Sequence, residues 1–251
     1  MGMYTGERED PYKITPKTIE TTRMCRSLAD PMILLNVTQI IRDADPERTD
    51  VYNSYAERLI KDITNYHYRP QSGLLMETVG MNGETDDKVS SYRVVNPGHS
   101  LEACWFLLTE AERTGDTELS DKAVKIYDAA MNIGWDKEYG GIFYFKDYLG
   151  KPVEAYEHDM KLWWPHNEAV IASLMLYKKT GEKKYFKNFE ILVDYAFSAF
   201  SDPEYGEWFG YLRRDGKPTE PPCKGHTYKG FFHVARMLHK GKEILTGLVT
   251  E

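Results

Sequence analysis

The chain has 251 residues, 41% hydrophobic and 28% charged, which is ordinary for a globular protein and long enough for one sizeable core. Its net charge of −7, with no Lys/Arg block to offset it, argues against nucleic acid or an anionic membrane as partner. Cys25, Cys104 and Cys223 are scattered with no C-x-x-C pair, no apolar run spans a bilayer, and Met1–Pro16 is too polar for a signal peptide; a cytoplasmic protein without a zinc or disulfide framework is expected.

Residues 1–16 read as a polar lead, and 17–251 as a single domain. Leu28, Met32, Leu35 and Ile40 predict a helix from about 26 to 43, with Pro31 in an early turn. Tyr52, Tyr55, Leu59 and Ile63 predict a second from about 49 to 66. A polar connection over 67–95 contains the turn pair Asn82-Gly83 and reads as a short hairpin or extended loop. A third helix runs from about Pro97 to Arg113 and stops at Gly115. A fourth, about 117–133, carries Leu119, Ala123, Ile126, Tyr127 and Ala130 on one face. An aromatic hairpin follows, Trp135 to Gly150. Helix five covers about 161–179 and stops at Gly181. Helix six, about 182–200, groups Phe186, Phe189, Val193, Ala196 and Phe200. A second aromatic hairpin, Ser201 to Pro218, leads to helix seven, about Lys229 to Leu245.

An internal repeat orders these elements. Asp136-x-Glu138-Tyr139-Gly140 recurs as Asp202-x-Glu204-Tyr205-Gly206, Gly150-Lys-Pro152 as Gly216-Lys-Pro218, Thr114-Gly115 as Thr180-Gly181, and Glu102-Ala103 as Glu168-Ala169. The offset between copies is identical in all four pairs. Each period is long enough for an inner helix, an outer helix and a hairpin, so the expected fold is all-α, built from repeated helical hairpins with short β-hairpins in the loops. Closure into an α/α toroid is favoured over an open array, because an open array leaves the aromatic hairpins exposed. In a toroid the starts of the inner helices point into a central pocket.

Three histidines fall at such starts: His99, His166 and His233. Around the second lies Lys161-Leu-Trp-Trp-Pro-His-Asn-Glu168, a short run with two indoles, an imidazole and a carboxylate. A lone helical histidine is more often structural, and adjacent tryptophans are often core. Three histidines at matched positions point instead to a pocket that moves protons. No H-x-x-x-H spacing suggests zinc, no G-x-S-x-G a nucleophile elbow, and no glycine-rich loop a phosphate site. What remains is proton transfer by imidazoles near neutrality, with carboxylates orienting them or the substrate. Two bases on opposite faces of a carbon alpha to a carbonyl epimerise it; a glycoside hydrolase using Glu102 and Glu168 is the alternative.

The segments Asn96-Pro-Gly-His-Ser-Leu-Glu-Ala103, Trp135-Asp-Lys-Glu-Tyr-Gly-Gly141, Lys161-Leu-Trp-Trp-Pro-His-Asn-Glu-Ala169, Ser201-Asp-Pro-Glu-Tyr-Gly-Glu-Trp-Phe-Gly210 and Lys229-Gly-x-Phe-His233 strongly resemble the N-acylglucosamine 2-epimerase (renin-binding protein) family, from about Arg26 to Leu245. The resemblance implies an (α/α)6 barrel that interconverts N-acylglucosamine and N-acylmannosamine at C2 of the ring-opened sugar. It also implies His99 and His233 as acid/base pair, Glu168 acting with them, and Glu102, Trp164, His166 and Tyr228 around the amino sugar. No metal or obligatory cofactor is implied; ATP or another nucleotide is an expected activator. Where relatives have Gly-Pro-Trp-Lys-Gly, this chain has His226-Thr-Tyr228-Lys-Gly230, a departure that keeps open an epimerase or isomerase of another sugar, such as one resembling cellobiose 2-epimerases. About seven helices match the C-terminal two-thirds of a twelve-helix barrel. The missing part contributes a pocket arginine, a role given to no residue here, Arg93 included. A homodimer, or association with a chain supplying the missing helices, is therefore expected, as is the alternative of a catalytically silent binding or regulatory protein.

Overall fold

The computed structural model describes residues 3–4 and 24–250; apart from the strand Met3–Tyr4, the polar lead expected over 1–16 lies outside them. The described residues contain seven α-helices: α1 Ala29–Ala44, α2 Thr49–Asp62, α3 Pro97–Thr114, α4 Thr117–Gly134, α5 Trp163–Thr180, α6 Lys183–Phe200 and α7 Phe232–Thr250. Where the sequence reading has one domain over 17–251, packing divides the chain into two compact units. One runs to Val95 and takes in Asp147–Lys151; the other comprises Asn96–Lys146 and the chain from Pro152 onward.

In the first unit α1 and α2 form an antiparallel hairpin beside a small antiparallel sheet, in which Met24–Ser27 pairs with Met3–Tyr4 on one side and Thr78–Gly80 on the other. The expected face of α1 holds at Leu28, Met32 and Leu35, then changes phase. Ile40 is exposed, and Asn36 and Gln39 turn inward with an Nδ2–H to Oε1 hydrogen bond of 3.2 Å. Mutual hydrogen bonding lets two amides take positions that periodicity assigns to an apolar side chain. The expected second helix ends at Asp62, and its last residues, Ile63–His67, widen into a π-turn. Arg93 forms a buried ion pair with Asp147, Nε to Oδ2 2.7 Å.

The second unit carries the repeat. Helix α3 opens on Asn96, whose side chain accepts the His99 N–H, has Pro97 in its first turn, and closes on Gly115 at φ 71°. Helix α5 closes on Gly181 at φ 70° in the same way. Each is followed by an outer helix, α4 or α6, packed along it. Helix α5 also packs against α3 and α7, so it is buried nearly all round, and Trp163 through Leu174 is closed to solvent. Leu119, Ala123, Ile126, Tyr127 and Ala130 of α4 are buried as their spacing predicts. On α6 the buried line is Tyr185, Leu192, Ala196 and Phe200, with Phe186, Phe189 and Val193 half-buried beside it.

The two hairpins share one pattern. Trp135 bridges Ile142 and, one repeat later, Ser201 bridges Trp208. Asp136 Oδ1 accepts the N–H groups of Glu138 and Tyr139, as Asp202 Oδ1 does those of Glu204 and Tyr205. Two expected boundaries move. Lys161–Leu162 is a strand paired with Tyr211–Leu212, and α5 starts only at Trp163, because ladder bonds to the second hairpin outcompete one more helical turn. Helix α7 starts at Phe232, not Lys229, and runs to Thr250.

Candidate active site

The first two turns of α3, α5 and α7 bring together Glu102, Glu168, His233, Trp164 and His99. Glu168 is fully buried, and three donors converge on it. Its Oε1 receives His233 Nδ1 at 2.7 Å and Arg236 Nη2 at 2.7 Å, and its Oε2 receives the Trp105 indole N–H at 2.8 Å. Burial works to raise its pKa, but the bonds from His233 and the charge of Arg236 hold it below the usual carboxylate range. Glu168 is thus an anion that fixes one imidazole nitrogen of His233 and leaves Nε2 for chemistry, the arrangement of an orienting carboxylate and a general base.

Glu102 lies one guanidinium away, its Oε1 accepting from the same Arg236 Nη2. Desolvation, reinforced by the neighbouring Glu168 charge, pushes this carboxyl up. Two carboxyl groups whose environments drive their pKa values apart are a means of keeping one acid and one base in a single pocket. Glu102, Glu168 and His233 present ligand atoms within 4.8 Å of one another, a spacing open to a metal ion. Arg236 already supplies positive charge to the same carboxylates.

Trp164 lies against both histidines. Its ring centroid is 5.1 Å from that of His99 and 5.8 Å from that of His233, and Tyr144 meets it edge-on at 6.2 Å. Gly98 makes this fit possible: a Cβ there meets Trp164 ring carbons at 2.6 Å and the Pro165 Cβ at 2.9 Å. Gly98→Ala is expected to shift the indole and cost about 1–3 kcal/mol. Denaturant unfolding and tryptophan fluorescence check this, and an unchanged midpoint with an unchanged spectrum contradicts it.

Two expected site residues are not where the sequence reading put them. His166 is fully buried: Nε2 accepts the Ile142 N–H at 2.9 Å, and Nδ1 faces the Leu162 carbonyl at 2.7 Å. With both nitrogens spent on backbone it has nothing to offer a ligand; it fastens the first hairpin to the start of α5. Burial lowers its pKa to about 3. Tyr228 is 77% exposed on the loop before α7. Its ring lies 6.1 Å from that of His226, which in turn packs edge-on to Trp163 at 5.5 Å, so the path of ring contacts from it to Glu168 passes through three rings, His226, Trp163 and His233. Conversely, the sequence reading missed Arg236 and Trp105. Both were legible in principle: Arg236 is one helical turn beyond His233, and Trp105 one turn beyond Glu102.

A protein of repeated helical hairpins, with a buried acid–base cluster at the starts of its inner helices, is of the (α/α)6-barrel type. Solved structures share this fold: a D-mannose isomerase (TM-score 0.74, 20% identity, 90% of this chain and 58% of that one) and a sugar epimerase from a ruminal bacterium (0.72, 17%, 88% and 54%). The family profile for N-acylglucosamine 2-epimerase (GlcNAc 2-epimerase) matches residues 8–236. The chain is 40% identical to the N-acylglucosamine 2-epimerase of Bos taurus over 97% of its own length, and 37% identical to that of Homo sapiens over 97%. It belongs to the N-acylglucosamine 2-epimerase family. It spans 57% and 56% of the length of those two relatives.

Proposed function

We propose that the chain carries the two-base site of a carbohydrate 2-epimerase acting on N-acylglucosamine and N-acylmannosamine. The observation that supports this best is the Glu168–His233 pair beside Trp164, with His99 against the same indole. In the proposed reaction the pyranose opens, exposing the C1 aldehyde. One imidazole removes the C2 proton, leaving a 2-acylamino enolate whose charge rests on the C1 oxygen. The other imidazole returns a proton to the opposite face of C2. Each histidine ends the cycle with the proton state in which its partner began, and proton exchange with solvent resets both before the next turnover. Glu168 orients His233, Glu102 donates toward a sugar oxygen, and Trp164 gives the flat face on which the chain of the open sugar rests.

A cytoplasmic location is part of the same reading. It draws on three cysteines that are free and on the absence, among the described residues, of a helix long and apolar enough to cross a membrane. So are a nucleotide activator and a partner, either a second copy or a chain carrying the remaining length of the relatives. A second reading, an epimerase or isomerase of another aldose, draws on the replacement at His226 and Tyr228 and on a cellobiose 2-epimerase from Bacteroides fragilis that is 29% identical over 61% of this chain.

The test is proton NMR of N-acetylmannosamine in heavy water with the purified chain, with and without ATP. Deuterium at C2 together with N-acetylglucosamine is the expected result. Exchange with cellobiose or mannose instead moves the reading to another sugar. A folded sample that exchanges none of them, alone or mixed with a chain carrying the remaining length of the relatives, rejects the epimerase and favours a silent binding protein.

A further inference from the structure

The cluster contains a cation that the two-base reading leaves without a task. Arg236 projects from the second turn of α7, and a single nitrogen, Nη2, touches Glu102 Oε1, Glu168 Oε1 and, at 3.4 Å, His233 Nδ1. Its guanidinium carbon lies 5.1 Å from the Trp105 ring centroid and 4.4 Å from that of Phe232. Its side chain is 9% exposed. An arginine walled by aromatic faces is held in place, and its fork cannot swing out to solvent without giving up both carboxylates.

We infer that Arg236 is the positioning residue of this site: it ties Glu102 and Glu168 to one guanidinium nitrogen and so fixes the direction of the His233 ring that leans on Glu168. The inference rests on the proposed reaction only for its catalytic consequence. The physical argument is independent of any sugar. Two carboxyl groups buried side by side repel when both are ionised, and without a cation one of them takes a proton. If Glu168 takes it, the carboxylic acid rotates to donate, and the Nδ1–H of His233 loses its acceptor. With Arg236 present, Glu168 keeps its charge because His233, Trp105 and Arg236 all donate to it, while Glu102 draws on Arg236. Glu102 is then the member that holds a proton. The charged and titratable groups facing this pair are His99 from α3 and His233 and Arg236 from α7. Lys240, one turn further along α7, rests on the Trp105 ring at 5.1 Å.

The experiment is carbon-13 NMR of the full chain labelled at glutamate side-chain carboxyls, titrated with acid. Glu102→Gln and Glu168→Gln assign the two buried signals. The native chain is expected to protonate Glu102 first and Glu168 last. In Arg236→Met the midpoint of Glu168 should rise by about 1–3 pH units. Arg236→Lys keeps the charge without the fork and should give a smaller rise. In turnover, either variant should lower kcat far more than it raises KM, and guanidinium ion added to Arg236→Ala should restore part of the loss. Glu168 protonating before Glu102 in the native chain overturns the inference even if no variant folds. So does an unmoved Glu168 midpoint in a folded Arg236→Met. Because the titration needs no substrate, a native chain that titrates as expected but exchanges no sugar proton defeats the proposed function and leaves this inference standing.

Discussion

Glu168→Gln is expected to lower turnover about a thousandfold or more while the chain stays folded. The magnitude follows from what an orienting carboxylate does for a catalytic imidazole: it selects the tautomer and stabilises the imidazolium that forms. In this site the effect has a second part. Glu168 accepts from His233, Arg236 and Trp105, and an amide offers only one oxygen to those three donors. The amide nitrogen of the variant must then face a donor, so the network breaks at one of the three points. The fold should survive, because Arg236 keeps its hydrogen bond to Glu102. Steady-state rates with a thermal melt on the same samples check this. Turnover within about tenfold of native, at unchanged stability, removes Glu168 from the mechanism.

Replacing His166 should do the opposite, damaging the fold. His166→Ala leaves the Ile142 N–H and the Leu162 carbonyl without their bonds in a closed interior, and opens a cavity against Tyr195 and Phe200, which pack on the ring at 5.1 and 5.0 Å. The expected loss is about 3–5 kcal/mol. A pH dependence accompanies it. Burial holds the folded pKa at about 3, below the ordinary histidine value, so as pH falls below about 6.5 the unfolded chain takes up the proton first. The folded state then loses up to about 1.4 kcal/mol per pH unit from this group down to pH 3, and nothing above 6.5. His67, also lowered chiefly by burial, pulls in the same direction, and Asp136 and Glu168, both held low, add a loss as pH falls through the carboxylate range. The measurement is therefore the difference between native chain and His166→Gln in urea unfolding at several pH values between 7 and 5. A difference that does not change with pH shows that His166 titrates alike in both states.

These two residues mark how far the chain could be read before it was folded. His99, His166 and His233 are evenly spaced along the sequence, and by that spacing each opens an inner helix. Only the flanking hairpins separate them. The Ile142 amide of the first hairpin reaches His166 and closes it off, while His99 and His233 are left half-buried against Trp164. Lys161 shows the same limit. Read as the first residue of a helix, it is a fully buried strand residue whose Nζ reaches Asp136 at 2.9 Å, a partner on the preceding hairpin that no local pattern announces.

The sequence alone determined what short-range chemistry can encode. Gly115 and Gly181 end helices because a left-handed residue is cheapest without a Cβ, and Asn96 with Pro97 starts one because both satisfy a first turn. The constant offset between copies brought the repeated hairpin turns into view, since Asp136 and Asp202 organise them through bonds to amides just ahead in the chain. The candidates Glu102, Glu168, His99 and His233 were visible for the same reason. Tertiary structure alone decided which of them share a charge. Arg236 reaches across from α7 to a carboxylate on α3, and the pKa values of Glu102 and Glu168 are pushed in opposite directions only because three helices meet there, excluding water and delivering unequal numbers of donors to each.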